Sequence, residues 1–152
     1  MIKNIFDHQI STEIIHRIEQ LQPTTQPKWG TMRVDQMLAH CNVTYRCTYE
    51  SEQFKKPSAF KKFLLKTFVK KYVVNEEPYR KNGRTAPEFI MTDSKEIEKE
   101  KALLINFILK TQQLGSTYFE GLENFSFGKM ISKEWNNLFY KHLDHHLTQF
   151  GV

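Results

Sequence analysis

Glycine and proline are scarce in this chain, six and five among 152 residues, and they are grouped. The breaks fall at Pro23 and Pro27 to Gly30, at Pro57, at Pro78 to Pro87 with Gly83, and at Gly115 to Gly128. Long regular elements fit between them. Cysteine is limited to Cys41 and Cys47, six apart in one helical run, where about 100° per residue turns them away from each other. This argues against a disulfide and for buried free thiols in a reducing compartment. No stretch approaches the roughly 18 apolar residues of a membrane span. Met1 to Ile10 has neither the basic start nor the unbroken apolar run of a signal peptide. The expectation is a soluble, cytoplasmic protein. Period-two alternation of β-branched residues is also missing, so no sheet is expected.

Hydrophobic residues make up 39% of the chain and aromatics 13%, twelve of them phenylalanine. That is more apolar material than a disordered chain of this charge carries. The length suits one domain over residues 1–152, with one core and hence one site. A net charge of +5 is too small to imply nucleic acid unless it is clustered, and no nucleic-acid partner is expected. It clusters in one place. From Lys55 to Lys71 there are seven lysines and no acidic residue, interleaved with Phe60, Phe63, Leu64 and Phe68.

Four runs have helical spacing. Ser11 to Leu21 places Ile14, Ile15 and Ile18 on one side, with Ser11 as N-cap. Met32 to about Glu50 follows Trp29-Gly30-Thr31. Asp93 to about Leu114 opens on Asp93-x-x-Glu96, a capping-box pattern, and closes at Gly115. Its stripe is Ile97, Leu104 and Ile108, with Ile105 and Leu109 beside it. Ile131 to about Gln149 has Ser132 as N-cap and Gly151 past its end. The simplest closure is an all-α antiparallel four-helix bundle. The connection from Glu52 to Thr92 is too long to be structureless. Pro57 to Tyr72 supplies a short extra amphipathic helix there, between the second and third long helices.

The fourth run locates a site. With Trp135 as reference, Ile131, Leu138, Phe139 and Phe150 fall within about 60° and mark the buried face. His142 and His146 fall about 20° to either side of that reference, while His145 lies about 80° away and Asp144 points outward. Two imidazoles one turn apart in a core need compensation. An i, i+4 histidine pair is a well-used half-site for zinc and similar ions. In the second run Met37, His40, Thr44 and Cys47 form one stripe, so His40 faces inward and supplies a third ligand if the two helices are neighbours. The expected metal site is therefore His40, His142 and His146. The alternative is three histidines hydrogen-bonded inside a core. His8 and His16 are expected at the surface, and His145 at the flank or as partner to a ligand.

The residues also resemble a known family. Trp29-Gly30-Thr31-Met32-Arg33-Val34-Asp35-Gln36-Met37-Leu38-Ala39-His40-Cys41 is similar to the opening of the DUF1569 branch of the DinB/YfiT-like superfamily. Phe127-Gly128-Lys129 through Glu134-Trp135 to Tyr140-Lys141-His142-Leu143-Asp144-His145-His146 and on to Gly151 resembles its C-terminal signature, with Thr85-Ala86-Pro87-Glu88 in the middle. The resemblance implies a DinB-like four-helix bundle in which one helix gives one metal-binding histidine and another gives two, at His40, His142 and His146. Superfamily relatives use such a site for thiol chemistry, as in bacillithiol S-transferases and mycothiol-dependent isomerases. Where relatives often carry His-Pro before the Phe-x-Phe-Gly stretch, this chain has Asn124-Phe125-Ser126-Phe127-Gly128.

The functional expectation is a metal-dependent thiol transferase or hydrolase acting on a small molecule, a low-molecular-weight thiol being one candidate. Zinc or nickel leads, with iron and manganese as alternatives. Gln149 lies inward near His146, where it would orient a ligand or hold a water, or else bond to backbone as a helix-end polar residue; Trp29 and Trp135 are read as core, with the wall of a pocket as the alternative. A non-catalytic binding domain is the second expectation. A third gives the basic helix 57–72 an anionic surface to bind, without stable membrane insertion. Its bland counterpart has the phenylalanines capping one end of the bundle and the lysines solvating it. Exposed apolar faces leave a homodimer open.

Overall fold

The computed structural model describes residues 1–83 and 85–152. The chain is mostly helical. Four longer helices, α1 (His8–Glu19), α2 (Val34–Tyr49), α5 (Ile97–Phe119) and α6 (Ser132–Gln149), share one core. Of these, α1 and α2 each pack on both α5 and α6, and α5 packs on α6. The core holds Ile14 and Ile18 from α1, Leu38 from α2, Leu104 and Ile108 from α5, and Trp135 and Phe139 from α6. Tyr45 stacks on Phe139 at 4.7 Å and on Phe107 at 5.8 Å, which ties α2 to both later helices.

The helix starts differ from those read in the sequence, mostly because distant segments claim the local groups. Ile5 and Phe6 are buried, and Ile5 N–H donates to Asn136 Oδ1 at 2.7 Å. The chain is thereby pinned early and α1 begins at His8, leaving Ser11 inside it, where its hydroxyl donates to His8 O. The Asp93/Glu96 capping box does not form. Asp35 of α2 accepts the Lys95 N–H at 2.8 Å, and Gln36 bonds Thr92 O, so residues 92–95 are held against the start of α2. Helix α5 therefore begins at Ile97. Ser132 is the first residue of α6 and not its cap. Its N–H goes to Glu120 Oε2, and the Ile131 N–H goes to Glu134 Oε2.

Gly115 breaks α5 as its sequence position suggests. It has φ of +69°, and helical hydrogen bonding then resumes to Phe119. Leu109, placed beside the α5 core stripe, is exposed, and so is Ile131, assigned to the buried face of α6. Helix α6 is buried beyond the face read from the sequence, because α1, α2, α5 and the short helix Lys70–Val74 all contact it. Lys141, Leu143 and Leu147 are buried too. Asp144 is half-buried and pairs with Arg17 at 2.8 Å.

Between α2 and α5 lie α3 (Ala59–Leu64), a wide helical turn at Leu65–Val69 and α4 (Lys70–Val74). Leu65, Val73 and Val74 pack on the core. Phe60, Phe63 and Phe68 do not cap the helices. They are exposed. A two-residue hairpin, β1 (Glu123–Asn124) with β2 (Gly128–Lys129), is the other departure from an all-helical reading. Asn124 builds it, because its Oδ1 accepts from Ser126 and Phe127 N–H. Cys41 is buried and Cys47 half-buried, both as free thiols.

Candidate metal centre

One imidazole from α2 meets two from α6. A ring nitrogen from each of His40, His142 and His146 can be chosen so that all three lie within 4.8 Å of one another. The ring centroids form a nearly equilateral triangle, with sides of 4.9 Å, 4.6 Å and 4.8 Å. The wheel for α6 placed its two histidines on one side, and the packing of α2 against α6 brings in the third. His8 and His16 are exposed and are not members of this cluster.

Each ring is oriented through its outer nitrogen. His40 Nδ1 lies 2.9 Å from Phe89 O, a carbonyl that can only accept. Nδ1 therefore carries the proton and Nε2 presents a lone pair. His146 Nδ1 lies 2.8 Å from Gln149 Oε1. The Gln149 amide nitrogen donates to Trp29 O at 2.8 Å, which fixes the amide with its oxygen toward the ring. His146 is thus protonated on Nδ1 as well, with Nε2 free to coordinate.

The His142 ring can adopt either tautomer. Its Nε2 lies 2.9 Å from His40 Nε2, and its Nδ1 lies 3.1 Å from Thr44 Oγ1. Since His40 Nε2 is a lone pair, His142 Nε2–H donates to it here, and the Thr44 hydroxyl donates to Nδ1. A hydroxyl can also accept. If Thr44 rotates its proton away, Nδ1 takes the hydrogen and a third lone pair turns to the same point, with no heavy atom displaced. The donor set therefore fits a divalent cation, which requires neutral imidazoles with fixed outer bonds.

Burial keeps these rings neutral. It lowers the pKa of His40, opposed by the Phe89 carbonyl. It lowers His142 well below the ordinary value, with His146, His40 and His145 adding to the effect. It also brings His146 down to about 3, with His40 adding and the Gln149 bond opposing. The lone pairs are available at neutral pH.

The rim is aromatic and basic. His145 meets Trp29 at 5.8 Å, Tyr79 at 5.7 Å and His146 at 5.0 Å. Lys81 sits 4.4 Å above the Trp29 ring. Of the two tryptophans, Trp29 takes the pocket-wall place and is half-buried at this rim, whereas Trp135 is core, fully buried against Phe119 and Phe139. Thr44 stood on the His40 stripe without a role, and spacing alone could have paired it with a ring on α6. The Phe89 carbonyl left no sequence signal, since a backbone acceptor is independent of residue type.

The family described as "Protein of unknown function (DUF1569)" matches residues 4–151. The chain belongs to the DUF1569 family. The match spans both helices that carry the histidines of this DUF1569 chain, and the Phe89 segment between them. Searches of curated proteins and of solved structures gave no match.

Proposed function

We propose that this DUF1569 chain is a DinB-like four-helix bundle of α1, α2, α5 and α6 whose His40, His142 and His146 hold one divalent ion. Its proposed reaction is thiol transfer or hydrolysis on a small molecule in the cytoplasm. The observation that carries the reading is the tautomer pattern. Phe89 O and Gln149 Oε1 aim two lone pairs inward, and Thr44 lets the third ring follow. Three neutral imidazoles leave the ion its charge and at least one open position, the arrangement of catalytic and not structural sites. Zinc or nickel suits this donor set best, with iron and manganese next.

When bound, such an ion supplies Lewis acidity, making a water or a low-molecular-weight thiol acidic enough to act as nucleophile near neutral pH. The protein's own groups do the rest. Phe89 O, Thr44 and Gln149 hold the rings in place, and burial keeps protons off them. Trp29 and Tyr79 flank His145 at the rim, and Lys81 sets a positive charge there that favours an anionic substrate. His145 is half-buried, and burial lowers its pKa, so it is neutral and can accept a proton beside His146.

A second reading makes the histidines structural, because the direct His40–His142 contact at 2.9 Å pairs two rings without an ion. Elemental mass spectrometry on tag-free protein purified without chelator separates the two, comparing wild type with His142→Ala. Near-stoichiometric metal in the wild type, lost in the variant, supports the metal site. No metal in either, even after incubation with zinc and nickel, would leave the histidines as core hydrogen-bonding groups and the enzyme reading without foundation.

A further inference from the structure

The segment from α3 to α4 turns its aromatic residues outward. Phe60 and Phe68 are each 71% exposed and Phe63 61%, with Leu64 and Val69 partly open beside them. The inner side of the same segment is already satisfied by Leu65, Val73 and Val74 against the core. Large apolar side chains on a helix whose other side is anchored mark a surface that meets something.

The charge around them says what that is. Lys61, Lys62 and Lys70 pair with Glu88, Glu123 and Glu134, whereas Lys66 and Lys71 have no carboxylate partner among the described residues. Beside α4 runs a groove of about 400 Å³, lined by Lys66, Lys70, Lys71 and Lys133, with Glu76 and Glu134 as its acidic lining among the described residues. Those two carboxylates are engaged by Lys133 and Lys70. A second copy docking on this face would oppose one lysine set to another, which like-charge repulsion disfavours. A surface of anionic headgroups over hydrocarbon satisfies both features, the lysines at the headgroups and the phenyl rings below them.

We propose that α3 and α4 form an interfacial membrane-docking element that binds anionic phospholipid bilayers, with Phe60, Phe63 and Phe68 entering the acyl boundary and Lys66 and Lys71 meeting the headgroups. No described helix is long and apolar enough to cross a membrane, so the association is peripheral and reversible. This does not depend on the histidine cluster.

Vesicle flotation tests it, using equal parts phosphatidylglycerol and phosphatidylcholine beside phosphatidylcholine alone. Wild type should float with the anionic vesicles at low salt, lose most of that binding at about 0.5 M salt, and ignore the neutral ones. Phe60→Ser/Phe63→Ser/Phe68→Ser and, separately, Lys66→Glu/Lys71→Glu should each weaken partitioning by at least about tenfold. All substituted residues are exposed, and circular dichroism checks that both variants fold. Absence of flotation at low salt overturns the proposal, as does flotation that neither variant reduces. A wild-type dimer dispersed by the triple serine variant, without lipid binding, would assign the face to a second copy instead.

Discussion

His146 and Gln149 are joined by a 2.8 Å bond from Nδ1 to Oε1, and the Gln149 amide is itself held by Trp29 O. The turn before α2 thus sets the direction of a ring on α6. Replacing Gln149 with Leu preserves bulk but frees the ring to rotate and to change tautomer. The expected result is metal affinity weaker by roughly 10–100-fold with the helical spectrum intact, measured by competition with a chromogenic chelator. Unchanged affinity would reduce Gln149 to a helix-end polar residue.

Gly30 lies where no side chain fits. Its φ is +79°, and a Cβ there would stand 2.8 Å from Gln149 Nε2. Gly30→Ala should therefore cost about 1–3 kcal/mol, from backbone strain and from displacement of the amide. Urea unfolding reads the stability loss, and metal titration should show a parallel drop in affinity. A variant that loses stability but binds metal normally would show that the amide shifts without disturbing His146.

Acid should destabilise the metal-free protein earlier than carboxylate titration alone would. The histidine pKa values are lowered in the folded state, that of His146 to about 3 against an ordinary 6.5. Between those values the unfolded chain binds more protons than the folded one, so stability is full above 6.5 and falls as pH drops through the window. Each such ring contributes about 1.4 kcal/mol per pH unit. Urea midpoints on chelator-treated protein should fall steeply from about pH 7 to about pH 5. His146→Leu should reduce the slope by about one proton, and a flat profile would mean that the rings are hydrated.

The three histidines were legible because spacing alone sets which residues share a helix side, and His142 and His146 follow the same turn as Trp135 and Phe139. The helix cores were legible for the same reason. Helix starts were not, since Ile5 docking, the Asp35 carboxylate and the Glu120 carboxylate act from distant segments, and Ser11, Asp93 and Ser132 carry no mark of that competition. The basic segment allowed two readings, phenylalanines capping one end of the bundle or phenylalanines facing an anionic surface, and only the packing of Leu65, Val73 and Val74 shows which side faces inward. The outer partner of His40 is a carbonyl, visible to no residue pattern.

Lys141 gives that segment its anchor. It is buried, and its ammonium donates to Tyr72 O at 2.8 Å, Asn75 O at 3.1 Å and Asn75 Oδ1 at 2.6 Å, while Asn137 donates to Val74 O. These carbonyls close α4, where a helix leaves acceptors unpaired. Burial pushes the lysine down to about 8, and Tyr79 faces the ammonium at 4.3 Å. Lys141→Met keeps the length but removes every donor, so the carbonyls recover partners only if α4 lifts into water. The expected loss is about 1–3 kcal/mol, local to this segment. Limited trypsin digestion under native conditions should then cut at Lys66, Lys70 and Lys71 several-fold faster than in wild type, with sites in α5 and α6 unchanged. Uniform acceleration across the chain would mean that Lys141 supports the whole core, and no acceleration would mean that Leu65, Val73 and Val74 hold α4 without it.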